Sequence, residues 1–177
     1  MLNENPVFDP TVFENLKVGI ENHMYDLDKL SSDIRITARV DRLDLATLSR
    51  EFALFFESNL CRGITAEIRL EAALVDLASE ILAIPDANPG CSLILRFHTK
   101  LSDPTQLCQR IEAVLQEIWQ SQQQILQTIS FVFGQEPAVY SNTIELNFSR
   151  KINENQMGDI PELAKHILQT MKELGKL

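Results

Sequence analysis

The segment Ile64–Glu71 alternates without a break: Ile64, Ala66, Ile68 and Leu70 are apolar, and Thr65, Glu67, Arg69 and Glu71 are polar or charged. Successive side chains of a strand point to opposite faces, so this period of two describes a strand with one dry face and one wet face. The pattern recurs. Ile34, Ile36, Ala38 and Val40 alternate with Arg35, Thr37, Arg39 and Asp41. Leu93, Leu95 and Phe97 alternate with Ser92, Ile94, Arg96 and His98. Thr143–Ser149 turns Ile144, Leu146 and Phe148 inward. A sheet of such strands buries only one face, and amphipathic helices are the natural cover.

The helices are present. Phe13, Leu16, Ile20, Met24, Leu27 and Leu30 form a stripe at helical spacing behind an Asp9-Pro10 start signal, with Gly19 inside it, where close packing of another element would make use of a missing side chain. Leu74, Leu77, Ala78, Ile81 and Leu82 make a short second helix that Ile84-Pro85 ends. Asp103-Pro104 opens the longest helix, whose apolar face runs from Leu107 through Trp119 to Ile125 and Leu126. The last helix starts near Asp159-Ile160-Pro161 and carries Leu163, Ile167, Leu168, Met171 and Leu174. Phe52–Glu57 and Ile64–Leu70 read as a hairpin preceded by a short helical turn from Asp44, and Ile129–Phe133 as a buried strand.

The expected fold class is α+β: one domain over residues 1–177, with a mainly antiparallel or mixed sheet of about five or six strands and helices on one face, a two-layer sandwich. A β-α-β-β-α-β unit of ferredoxin-like type over Ile34–Thr99 is the alternative. The length of 177 residues suits one core, and 45% hydrophobic with 23% charged residues is an ordinary globular balance.

The formal net charge is −9, which repels phosphate backbones and anionic bilayers, so neither nucleic acid nor membrane is an expected partner. The first residues lack a basic and apolar leader, and no apolar run approaches membrane-spanning length. Three cysteines, Cys61, Cys91 and Cys108, show no CxxC spacing; reduced thiols and a cytoplasmic location are expected.

Signals of chemistry are sparse. GxGxxG, the P-loop, GxSxG and HExxH patterns do not occur. His23 shares a helical turn with Asp26, and His166 lies at the edge of the last helix's apolar face; both read as partly exposed helical histidines. Cys91 and His98 are an odd number of residues apart, which places them on opposite faces of a regular strand. Cys108 lies near a helix N-terminus, a position that lowers a thiol pKa, but one step off the apolar stripe, and is read as inert. No cofactor, metal or catalytic residue is expected.

One constellation stands out. Arg35, Arg39, Arg69, Arg96 and His98 fall on the wet sides of three strands. If those strands are neighbours, forked guanidinium donors could hold a small anionic ligand. The competing explanation is ladder pairing with Glu67, Glu71 and Glu145. Phe55 and Ile94 interrupt the polar sides of their strands and could seed a homodimer. The uncharged run Gln120–Gln124 could touch a protein partner. The leading functional expectation is a non-enzymatic binding or regulatory domain acting through protein–protein contact or homodimerisation. The alternative is a small-molecule binder, or an enzyme of an anionic substrate, using the Arg/His face.

Overall fold

The structure, a computed structural model, describes residues 11–119 and 124–177. Its centre is one six-stranded antiparallel sheet. The first four strands, β1 (Ile34–Asp44), β2 (Ser49–Ser58), β3 (Ile64–Ala72) and β4 (Ser92–Leu101), form a meander. After β4 the chain crosses over, lays β5 (Gln124–Phe131) at the far border, and returns as β6 (Tyr140–Asn147) between β4 and β5. The order is therefore β1-β2-β3-β4-β6-β5. No helix separates β1 from β2, which excludes the ferredoxin-like arrangement.

Three helices supply the second layer: α1 (Val12–Asp26), α3 (Pro104–Trp119) and α4 (Ile160–Leu174). They bury Phe13, Leu16, Ile20 and Met24 from α1, Ile111 and Leu115 from α3, and Ile167 and Met171 from α4 against Phe52, Leu54, Phe56, Ile68, Leu70, Leu95, Phe97 and Ile144 of the sheet. The expected two-layer α+β fold is what forms. Among the described residues no helix is long and apolar enough to cross a membrane.

Local chemistry explains the element ends. The Asp103 carboxylate accepts the Thr105 N–H at 3.0 Å and starts α3. The start signal at Asp9-Pro10 lies outside the described residues, and α1 is capped instead by Thr11, whose Oγ1 accepts from the Glu14 N–H at 3.3 Å. Gly19 does permit close packing: a Cβ there would lie 2.7 Å from Met157 Cε.

The differences from expectation are instructive. Asp44–Phe56 contains no helical turn; Asp44 Oδ1 accepts the Ala46 and Thr47 N–H groups, at 2.8 and 3.2 Å, and closes a tight β1–β2 turn that leaves Leu45 and Leu48 exposed. The short helix α2 (Leu74–Ile81) forms, but Leu74, Ile81 and Leu82 are exposed, and its one buried residue is Asp76. Helix α3 is described over Pro104–Trp119, and Ile125 and Leu126 belong to β5 and not to a helix. The segment Ile129–Phe133 is no buried strand: β5 is a border strand, and Phe131, Val132 and Phe133 are exposed.

Candidate functional site

Among the described residues no helix covers one face of the sheet, and the register states which side chains meet there. One cross-sheet row runs Arg35, Glu57, Thr65, His98, Thr143 and Thr128. The next runs Ala38, Phe55, Glu67, Arg96, Glu145 and Leu126. Two further rows hold Ala53, Arg69, Ile94 and Asn147, then Arg42, Glu51, Glu71 and Ser92.

Glu67 is the hub. Its side chain is only 2% exposed although no helix covers it. Arg69 Nε donates to it at 2.6 Å, Arg96 Nη1 approaches at 3.2 Å, and His98 Nε2 lies at 3.1 Å. Phe55 stacks on His98, with centroids 6.3 Å apart. Burial pushes the Glu67 carboxyl's pKa up, but bonds from His98 and Arg69 and the charges of Arg69 and Arg96 outweigh it and hold the pKa below its ordinary value. The cations reach outward to further carboxylates: Arg69 to Glu51 at 2.6 Å and Arg96 to Glu145 at 2.6 Å. Arg35 pairs with Glu57 at 2.6 Å and Arg42 with Glu51 at 2.7 Å.

Four of the five residues expected to form a ligand face therefore share one face: Arg35, Arg69, Arg96 and His98. Arg39 does not. Between Ile36 and Ala38 the β1–β2 register slips by one residue at a bulge. Beyond that point Ala38 and Val40 turn to the open face, and Arg39 and Asp41 turn to the helix side of the sheet, where both stay exposed. There Asp41 is a second hub, with Arg39 at 3.0 Å, Lys17 at 3.1 Å and Arg50 at 3.2 Å. Arg39 also pairs with Glu21 of α1, and the Arg50 guanidinium lies 4.7 Å from the Phe13 ring centroid. Every guanidinium of the expected set has a carboxylate: Arg69 and Arg96 pair with Glu67 and Glu145, as the competing ladder reading had it, whereas Arg35 pairs with Glu57 and Arg39 with Glu21 of α1.

The remaining candidates are placed as follows. Cys91 is buried in a two-bond bridge with Ile152. Burial, with the Asp76 and Glu80 charges, pushes its thiol up to about 12. Burial also raises the Cys108 thiol, so the helix terminus does not activate it. His166 Nδ1 lies 2.9 Å from the Glu162 carbonyl oxygen, one helical turn back, and its ring stands 5.5 Å from Trp119.

The two borders of the sheet are unlike. β1 presents Arg35, Arg39, Asp41, Arg42 and Asp44 and carries the bulge, features that discourage a further strand from pairing. β5 reads Gln-Ile-Leu-Gln-Thr-Ile-Ser-Phe: no charge, no proline and no register slip. Leu126 and Phe131 are exposed along it, and Phe133, 94% exposed, stands just beyond its end. Sequence reasoning missed this border because Ile125 and Leu126 also satisfy a helical period. The available signal was the absence of charge from Gln120 to Gln135. Of the uncharged Gln120–Gln124 run, residues 120–123 lie outside the described residues. Phe55 and Ile94, considered as dimer seeds, are half-buried.

Comparison with known proteins returns no match: no family model, no curated protein and no solved structure matches the chain.

Proposed function

We propose that this chain is a binding or regulatory domain whose working form is a homodimer joined edge to edge along β5. The observation that carries the reading is the unguarded border itself. Every second residue of a border strand turns its N–H and C=O outward, ready for another strand. Two chains of net charge −9 repel each other, so their contact belongs where side-chain charge is absent, and β5 is that place.

A second copy is the natural occupant. Antiparallel pairing of a strand with itself creates a two-fold axis and closes after two chains. Centred on Thr128, it sets Leu126 opposite Ser130 of the second copy and Ile125 opposite its Phe131. Residues of equal parity then face the same side, as the pleat requires. The anionic-ligand reading of Arg35, Arg39, Arg69, Arg96 and His98 has less support, because each guanidinium already has its carboxylate.

Light scattering at micromolar concentration tests the proposal. The expected mass is that of two chains. Thr128→Lys sets two ammonium groups face to face at the axis, and the expected result is a folded monomer whose Tm no longer depends on protein concentration. A wild-type monomer, or a dimer indifferent to Thr128→Lys, overturns the β5 assignment.

A further inference from the structure

A different feature lies on the short helix α2. At 3.6 residues per turn, Leu74, Ala78, Ile81 and Leu82 share one side of it with Val75 beside them, and Asp76 and Glu80 share the other. The usual orientation is reversed. The polar side faces the domain: Asp76 is buried, and Lys151 Nζ donates to both of its carboxylate oxygens, at 2.6 and 2.7 Å. Glu80 Oε1 accepts the Val12 N–H at 2.7 Å. The apolar side faces out, with Leu74, Val75, Ile81 and Leu82 between 46 and 71% exposed. At the helix end the Ala83 and Ile84 N–H groups return to the Glu80 and Ser79 carbonyls, at 3.0 and 2.9 Å, and Ile84 is exposed as well. These five side chains present roughly 500 Å² of apolar surface, the size at which a patch marks an interaction surface.

The entry of the chain into α1 indicates what meets this stripe. Thr11 and Val12 are both buried, and Val12 is bonded to Glu80, so residues 1–10 join the structure beside α2. Val7 and Phe8 form an apolar pair in that stretch. Four extended residues span about 13 Å, and Ile81 and Ile84 follow Glu80 within about one helical turn, so the step from Val12 back to Phe8 reaches both. Charge favours the same occupant. The helix carries no lysine or arginine, and a chain of net charge −9 is repelled by anionic bilayers. A second copy brings its own Glu80 and Asp86 to the same helix, whereas Pro6, Val7 and Phe8 bring no charge.

We propose that α2 is the docking surface for this chain's own N-terminal segment, with Val7 and Phe8 seated on Ile81, Leu82 and Ile84, and that the segment gates the stripe. A partner with an apolar surface reaches α2 only by displacing it, and its affinity falls by the fraction of molecules in which the stripe is closed. Helix α2 joins β3 to β4, and β5 lies beyond β6, so the contact does not depend on the dimer.

Nuclear Overhauser contacts and an uncharged hydrophobic dye, Nile red, test the proposal on the full chain. The Phe8 ring is expected to show contacts to the Ile81 and Ile84 methyl groups, with intensities that do not change on dilution. Nile red is expected to fluoresce severalfold more with Phe8→Asp than with the wild type, and the gain is expected to vanish when Leu82→Asn is added. Leu82 is 70% exposed, so its substitution leaves the fold intact. If Phe8→Asp does not fold, the ring contacts in the wild type decide alone. Equal fluorescence from the wild type and folded Phe8→Asp, or a Phe8 ring without contacts to α2, overturns the inference. Contacts that fade on dilution, or a dimer that Leu82→Asn dissociates while Thr128→Lys does not, assign the stripe to a second copy and overturn it too.

Discussion

Glu67→Gln is the sharpest test of the charged face. The carboxylate receives Arg69, Arg96 and His98 at 2.6, 3.2 and 3.1 Å while 2% exposed. Removing one partner of a buried ion pair typically costs about 3–5 kcal/mol, because the other charge is stranded. Here neither arginine is stranded: Arg69 keeps Glu51 and Arg96 keeps Glu145, each at 2.6 Å. What is lost is charge-assisted bonding at one acceptor oxygen, so the expected cost is about 2 kcal/mol. For a domain of this size that lowers Tm by roughly 4–8 °C. The pH dependence carries the sign. The folded-state pKa of Glu67 lies below its ordinary value of 4.5. Its contribution is therefore complete above pH 4.5 and drains away as pH falls through the folded pKa. Glu14, Asp41 and Glu145 are depressed as well, so the wild type loses stability in acid for several reasons at once. The difference between wild type and Glu67→Gln isolates one group. Urea unfolding at neutral pH and again in acid should show a gap that shrinks as pH drops. A gap of the same size at both values would refute the electrostatic account, and no gap at neutral pH would refute the hub.

Three further outcomes are expected. Gly19→Ala gains roughly 1 kcal/mol of helix propensity but drives a Cβ to 2.7 Å from Met157 Cε and 3.1 Å from Ile160 Cδ1, so alone it should destabilise slightly; in a Met157→Ala background the same change should stabilise, as urea unfolding would show. Thr170→Val removes the acceptor of the buried Trp119 Nε1 bond of 3.0 Å and should cost about 1–3 kcal/mol, read by the fluorescence of the single tryptophan during unfolding; an unchanged midpoint would mean that the indole N–H finds another partner. Alkylation of the native protein at mildly alkaline pH should spare Cys91, whose buried thiol is pushed up to about 12, until the chain unfolds; peptide mapping that finds Cys91 modified as fast as Cys61 would contradict its placement.

Much of this fold was legible in local patterns. The alternation at Ile64–Leu70 and Ser92–His98 and the stripe on α4 each record one-sided burial in a few consecutive residues, and the structure places those segments as expected. The open face was legible only in part. Glu67 appeared as one member of a charge ladder, but its rank as hub comes from Arg96 and His98, which arrive from β4.

The sequence by itself determined which residues are apolar, where helices begin and end within a few positions, and that the sheet has one dry face, because these follow from the period of two or 3.6 along the chain. Tertiary structure alone decided the rest. The bulge between Ile36 and Ala38 sends Arg39 to the helix side of the sheet, although nothing in the alternation marks it, since an inserted residue shifts parity only relative to a neighbouring strand. Ile125 and Leu126 fit a helix as well as a strand until β6 provides the ladder. The unguarded border at β5 exists because of strand order, a relation between distant segments that no local period encodes.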